Sequence, residues 1–110
     1  MSKIRDWRKT PEYRKWKYAC RNRDNNQCVI TGLKTHLQVH HINHATYFPE
    51  QRYDVDNGVT LNRYVHLLFH ILMMKGYRKK CTEKDWKRFV RLFKYINKIN
   101  ELIDYANKKQ

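Results

Sequence analysis

The chain has 110 residues and a mass of 13.7 kDa, one domain by size. Hydrophobic residues are 41% and aromatic residues 14%, enough for a small core and too many for a disordered chain. No stretch approaches the ~18–20 apolar residues of a membrane span and no apolar run follows Met1 as in a secretory signal, while a net charge of +14 points to a polyanionic partner, nucleic acid before an anionic membrane surface.

Thr10-Pro11-Glu12 reads as a helix start: Thr as N-cap, Pro at the first helical position, an acid in the first turn. Tyr13, Trp16 and Cys20 then recur at helical spacing, and Asp24-Asn25-Asn26 ends the helix as a turn cluster. Cys28-Val29-Ile30 is short and apolar, and Thr31-Gly32 is a turn. Leu37 to Ile42 partly alternates and is read as a strand, with Leu37, Val39 and His41 on one side. Residues 43–58 lack a sustained period and hold Pro49, Asp54, Asp56, Asn57 and Gly58, so they are read as a loop. Val59-Thr60-Leu61 is a second short strand. From Arg63 to Lys75 the pattern is helical, with Val65, Leu68, Phe69, Leu72 and Met73 as one apolar stripe and Gly76 as its stop. Thr82-Glu83-Lys84-Asp85 resembles a capping box with Asp in the acidic place. A helix over about 82–107 would be roughly 39 Å long at ~1.5 Å per residue. A core this small does not cover that length, so the helix either breaks near Asn97 or Asn100 or packs its far end on another subunit. The elements together read as α+β.

Three cysteines, Cys20, Cys28 and Cys81, form no close pair and no C-x-x-C. That argues against a disulfide framework and for a reducing compartment. The charge is uneven: residues 1–23 carry a net +7, residues 24–74 a net −1 and residues 75–110 a net +8.

All six histidines fall between positions 36 and 70. His40 and His41 are adjacent on the first strand, so their side chains point to opposite faces. His66 and His70 stand four apart on the second helix, with Cβ atoms about 5–6 Å apart on one face. Metal–imidazole bonds are short, ~2.0–2.1 Å for zinc, so a strand histidine and two helix histidines can share one ion. Alone, an H-x-x-x-H is more often accidental than metal-binding, and a His-His doublet is unremarkable. His36 and His44 are read as loop or surface histidines.

The joint arrangement resembles a known family. Val39-His40-His41-Ile42, Asp56-Asn57-Gly58-Val59-Thr60-Leu61 and His66-Leu67-Leu68-Phe69-His70 look like the H, N and H segments of the HNH nucleases, also called the ββα-metal or His-Me finger group. Tyr13-Arg14-Lys15-Trp16 through Arg23-Asp24-Asn25-Asn26-Gln27-Cys28 is similar to the lead-in of phage and bacterial members, so the resemblance covers residues 11–75. It implies a small ββα-metal core over 27–75, flanked by a basic N-terminal helical segment over 1–26 and a basic C-terminal one over 76–110. It implies a metal-dependent endonuclease similar to free-standing phage enzymes, some of them homing endonucleases, acting in the cytoplasm, that of a bacterial host if the gene is a phage's. His41 matches the general base, Asn57 the residue bracing the loop that orients it, and His40, His66 and His70 the metal ligands. His66 counts among the catalytic residues too, and His70 alternatively approaches the scissile phosphate.

Phosphodiester hydrolysis needs an activated water and relief of charge on the phosphorus, which a histidine base and one divalent ion supply. Mg²⁺ is expected by availability; Mn²⁺, Ni²⁺, Co²⁺ or Zn²⁺ would also serve. Relatives with two C-x-x-C pairs bind a structural zinc. Here those places hold Cys28 with Thr31 and Asn62 with Val65, so no structural zinc is expected. DNA is the expected partner, gripped through Arg14, Lys17, Arg21, Arg52, Arg63, Lys75, Arg78, Lys79 and Lys80. The long last helix offers a homodimer interface, and no membrane partner is expected. The competing reading is a DNA-binding module that kept the fold without catalysis.

Overall fold

The computed structural model describes residues 6–74 and 80–109. Among them the chain is a small mixed α+β protein with three α-helices and one two-stranded antiparallel sheet: α1 (Pro11–Arg23), β1 (Leu37–His41), β2 (Gly58–Asn62), α2 (Arg63–Phe69) and α3 (Glu83–Lys108). No helix among the described residues is long and apolar enough to cross a membrane.

Helix α1 starts as its residues dictate. The Thr10 hydroxyl accepts from the Tyr13 N–H at 3.2 Å, and Pro11 takes the first position. It ends at Asp24, followed by Asn25 and Asn26 at φ 58° and 52°, the left-handed region that asparagine tolerates. Its buried face is Trp16 and Cys20. That face lies on Gly58 so closely that a Cβ there would sit 2.5 Å from both Cys20 Sγ and a Trp16 ring carbon.

The strands pair His40 with Val59 and His41 with Gly58. Pleat alternation then turns Val59 and Leu61 away from α1, into a core with Val65, Phe69, Met74 and Phe89. The ribbon is therefore clad by α1 on one face and by α2 and α3 on the other. His40 and His41, one step apart, fall on opposite sides of it.

Several expected boundaries shift. The loop over residues 43–58 contains two single 3₁₀ turns, Pro49–Gln51 and Val55–Asn57, and yields Gly58 to β2. Ile42 lies beyond β1, where its N–H donates to the Asn57 carbonyl. The helix expected from Arg63 to Lys75 is α-helical only to Phe69 and continues as a π-turn over His70–Met74. That turn corrects the expected stripe. Five-residue spacing carries Met74 under Phe69 and buries it, whereas Leu72 is left 41% exposed. Helix α3 runs unbroken through Asn97 and Asn100. Its start is held by Asp85, whose carboxylate accepts from the Thr82 N–H at 3.0 Å.

Candidate active site

Three histidines meet where β1 and α2 face each other. His40 comes from the strand face turned away from α1, and His66 lies one turn into α2. His70 follows four residues later, its N–H still donating to the His66 carbonyl. One nitrogen from each ring lies within 4.8 Å of the others, close enough to hold a metal ion. The His66 Nε2 sits 3.1 Å from His40 Nδ1 and 3.1 Å from His70 Nε2.

The donor set is three imidazoles. Three imidazoles leave positions open for water or substrate, whereas structural zinc closes all four with protein ligands. Protonation states agree. Burial pushes His40 well below the ordinary histidine value, reinforced by His66 and His70. Burial and His70 bring His66 down to about 4. His70 is lowered as well, by burial and then His44. Each shift favours the neutral ring, the state that ligates.

His41 points to the other side of the strand. Its ring stacks on Trp16 at 4.0 Å and 9°, and meets the edge of Trp7 at 5.4 Å. Its Nε2 lies 2.9 Å from the Arg52 carbonyl. A carbonyl only accepts, so Nε2 carries the hydrogen and Nδ1 keeps the lone pair. Burial lowers the His41 pKa, with the Arg52 carbonyl opposing, and the net shift favours the neutral ring.

The carbonyl is itself held. Asn57 is 5% exposed and spans the loop in both directions. Its Oδ1 accepts from the Asn43 N–H at 2.8 Å, and its Nδ2 donates to the carbonyls of Asn43 at 3.0 Å and Gln51 at 3.2 Å. Gln51 is the residue before Arg52, so the Asn57 amide fixes the peptide next to the one that orients His41.

One cleft of about 190 Å³ brings these groups together: Trp7, Arg8, Tyr13, His40, His41, His44, His66, His70 and Cys81 all line it. His44, expected as a surface or loop histidine, is half-buried there, and burial lowers its pKa. His36 is exposed at φ 50°, away from the cleft. Cys81 accounts for the position of α3: its carbonyl accepts from the His44 N–H at 3.1 Å, tying the lead-in of α3 to the loop after β1. The spacing of acids and histidines missed Gln38, whose amide oxygen lies 2.8 Å from His66 Nδ1. Strand alternation was the available signal, since Gln38 and His40 stand two apart and share a face.

The basic residues divide into two kinds. Arg14 is exposed, Lys17 lies over the Tyr13 ring at 4.7 Å and Arg63 over Tyr64 at 5.3 Å. Lys80 covers the rings of Phe48 and Tyr47. Other guanidiniums are committed to backbone. Arg52 donates to the Ala45 carbonyl at 3.2 Å and Arg21 to the Leu37 carbonyl at 3.3 Å. Arg23 bonds Asp24 and the carbonyls of Val55 and Gly58. Lys75, Arg78 and Lys79 lie outside the described residues. No protein-family model matches the chain, and neither a curated protein nor a solved structure matches it.

Proposed function

We propose that the chain is a divalent-metal-dependent endonuclease hydrolysing DNA phosphodiester bonds, as the HNH resemblance implies. The observation that carries this reading is the single cleft lined both by the three-histidine cluster and by His41. A metal site alone suits a structural protein, and a buried histidine alone suits a core. A histidine whose Nδ1 bonds none of the described residues, beside a three-histidine set, suits hydrolysis.

His40, His66 and His70 would hold the ion. When bound, it would supply positive charge against the phosphate and the departing 3′ oxygen. His41 Nδ1 takes a proton from the attacking water while Arg52 keeps the ring in the Nε2–H tautomer. The water oxygen bonds to phosphorus and the P–O3′ bond breaks. The 3′ oxygen takes a proton from solvent, leaving a 3′-hydroxyl and a 5′-phosphate. A positioned base of this kind typically contributes about 10²–10⁴-fold. All-imidazole donors favour Ni²⁺, Co²⁺ or Zn²⁺ over Mg²⁺, which prefers oxygen ligands, so the expectation of Mg²⁺ rests on its abundance alone. Arg8 at the cleft, with Arg14 and Lys17 on α1, supplies sequence-independent grip on phosphates.

The test is cleavage of supercoiled plasmid by wild type and His41→Ala, with EDTA, Mg²⁺, Mn²⁺ or Ni²⁺ added. Metal-dependent nicking by wild type, reduced at least 100-fold in the variant while metal and DNA binding persist, is expected. Salt-sensitive DNA binding without cleavage by either protein, on plasmid and on a genomic-fragment library, would favour the binding-module reading instead.

A further inference from the structure

The metal reading just proposed leaves open what aims the helix ligands, and on that reading the geometry points to Gln38 as a positioning residue that presets His66 for the ion. Strand alternation puts Gln38 and His40 on the same face of β1. Asn62, paired with Leu37, ends β2 and caps α2, so the first turn of α2 returns His66 over both residues.

A neutral imidazole carries one N–H, and an amide oxygen only accepts. With Gln38 Oε1 at 2.8 Å, the hydrogen of His66 belongs on Nδ1. The lone pair is then on Nε2, the atom 3.1 Å from both His40 Nδ1 and His70 Nε2. His66 is thus in its ligating tautomer before any ion arrives. His40 has no such partner among the described residues: its buried Nε2 bonds none of them. A ligating His40 Nδ1 would move its hydrogen to that unpartnered atom, so of these two rings it is His66 that its surroundings preset. Partners of this kind typically change metal affinity by 10–100-fold. Gln38 is exposed to water, which places the expected effect at the lower end.

Two measurements test this. The first is calorimetric titration of Ni²⁺ and Zn²⁺ into metal-free wild type, Gln38→Leu and Gln38→Glu, with melting curves to show that each variant folds. Binding weakened about tenfold in Gln38→Leu, and equal to or tighter than wild type in Gln38→Glu, is expected. The second is long-range ¹⁵N–¹H correlation of the imidazoles in the metal-free protein, where His66 should carry its hydrogen on Nδ1 in wild type and lose that preference in Gln38→Leu. Affinity within twofold of wild type in Gln38→Leu, or the hydrogen of His66 on Nε2 in wild type, overturns the assignment. Failure of wild type to bind either ion sinks the metal centre itself, and the Gln38 role with it. The tautomer then shows whether the hydrogen bond was real.

Discussion

At the scale of single residues, the cleft is shaped by groups that do not line it. Asn57 is one. Its amide makes three hydrogen bonds in a buried position, and Asn57→Ala would strand the Asn43 N–H and two carbonyls. At about 1 kcal/mol for each bond, the variant should lose on the order of 2–3 kcal/mol of stability. Its cleavage rate should fall further than the folded fraction explains, because the Arg52 carbonyl that selects the His41 tautomer is no longer fixed. Chemical denaturation and single-turnover cleavage, run on the same sample, separate the two effects. A destabilised variant with wild-type single-turnover rate per folded molecule would show that the loop holds Arg52 without Asn57. Read from the residues alone, Asn57 is an asparagine before a glycine, which is a turn; its bracing role came only from the HNH resemblance. What it clasps became legible only once Asn43 and Gln51 were seen on either side of it. Gln38 stayed hidden for a different reason: an acceptor for a ligand's second nitrogen has no fixed residue type.

At the scale of elements, the interface between α1 and the ribbon is the part most sharply specified. Gly58 admits no side chain, because its Cβ would overlap Cys20 and Trp16. Gly58→Ala should therefore destabilise by a few kcal/mol, as overpacking of a tight core does, and should loosen the Trp16–His41 stack. Thermal melts would read the first effect and tryptophan fluorescence the second; an unchanged melting temperature would mean that α1 slides away freely. The same interface is tied at its end by Asp24, which accepts from Arg23 at 2.9 Å and from the Thr60 N–H at 3.0 Å. Burial raises the Asp24 pKa, but the bonds from Arg23 and Thr60 outweigh it, and the value falls below the ordinary carboxylate range. The unfolded chain therefore binds the proton more readily, so the contribution of Asp24 is present above pH ~4 and fades as pH falls through its folded value. The stability gap between wild type and Asp24→Asn, measured by urea unfolding, should be largest near neutrality and close as the pH falls below the ordinary carboxylate range. A gap independent of pH would show that the charge is immaterial. Capping signals such as Thr10-Pro11 and Thr82-Asp85 were readable because each works within one turn of chain. The π-turn at His70–Met74 was not, since a five-residue spacing has no residue signature and is set by what Phe69 and Met74 pack against.

At the scale of the molecule, α3 draws the shape out to 72 × 29 × 19 Å. Its first turns pack through Trp86, Phe89 and Phe93, while Tyr95, Ile99, Leu102 and Ile103 are more than half exposed. The sequence left open whether this helix breaks or continues; it continues, and the apolar far half is uncovered. The pattern there is symmetric about Ile99: Ile96 and Leu102 stand three residues away, Tyr95 and Ile103 four, Leu92 and Ala106 seven. At ~100° per residue this stripe is centred roughly 110° around the helix from the residues facing the core, so a neighbour on it would not displace the chain's own core. A second copy running antiparallel would meet the same stripe in reverse order. Tyr95, Ile99, Leu102 and Ile103 make a short apolar strip, small beside the ~1,000 Å² lower bound of specific interfaces, so association through it is expected only at high protein concentration. Each copy also carries +14, so association should strengthen with salt as the Debye length shortens to about 8 Å near 0.15 M. Sedimentation velocity from 1 to 200 µM should then show wild type passing from monomer to dimer, more readily at higher salt, while Ile99→Lys remains monomeric. Wild type monomeric throughout that range, or Ile99→Lys associating as wild type does, would remove α3 as the dimer contact. A dimer joined this way would carry two clefts, so Ile99→Lys should still nick plasmid while linear product from wild type, if formed by paired sites, disappears.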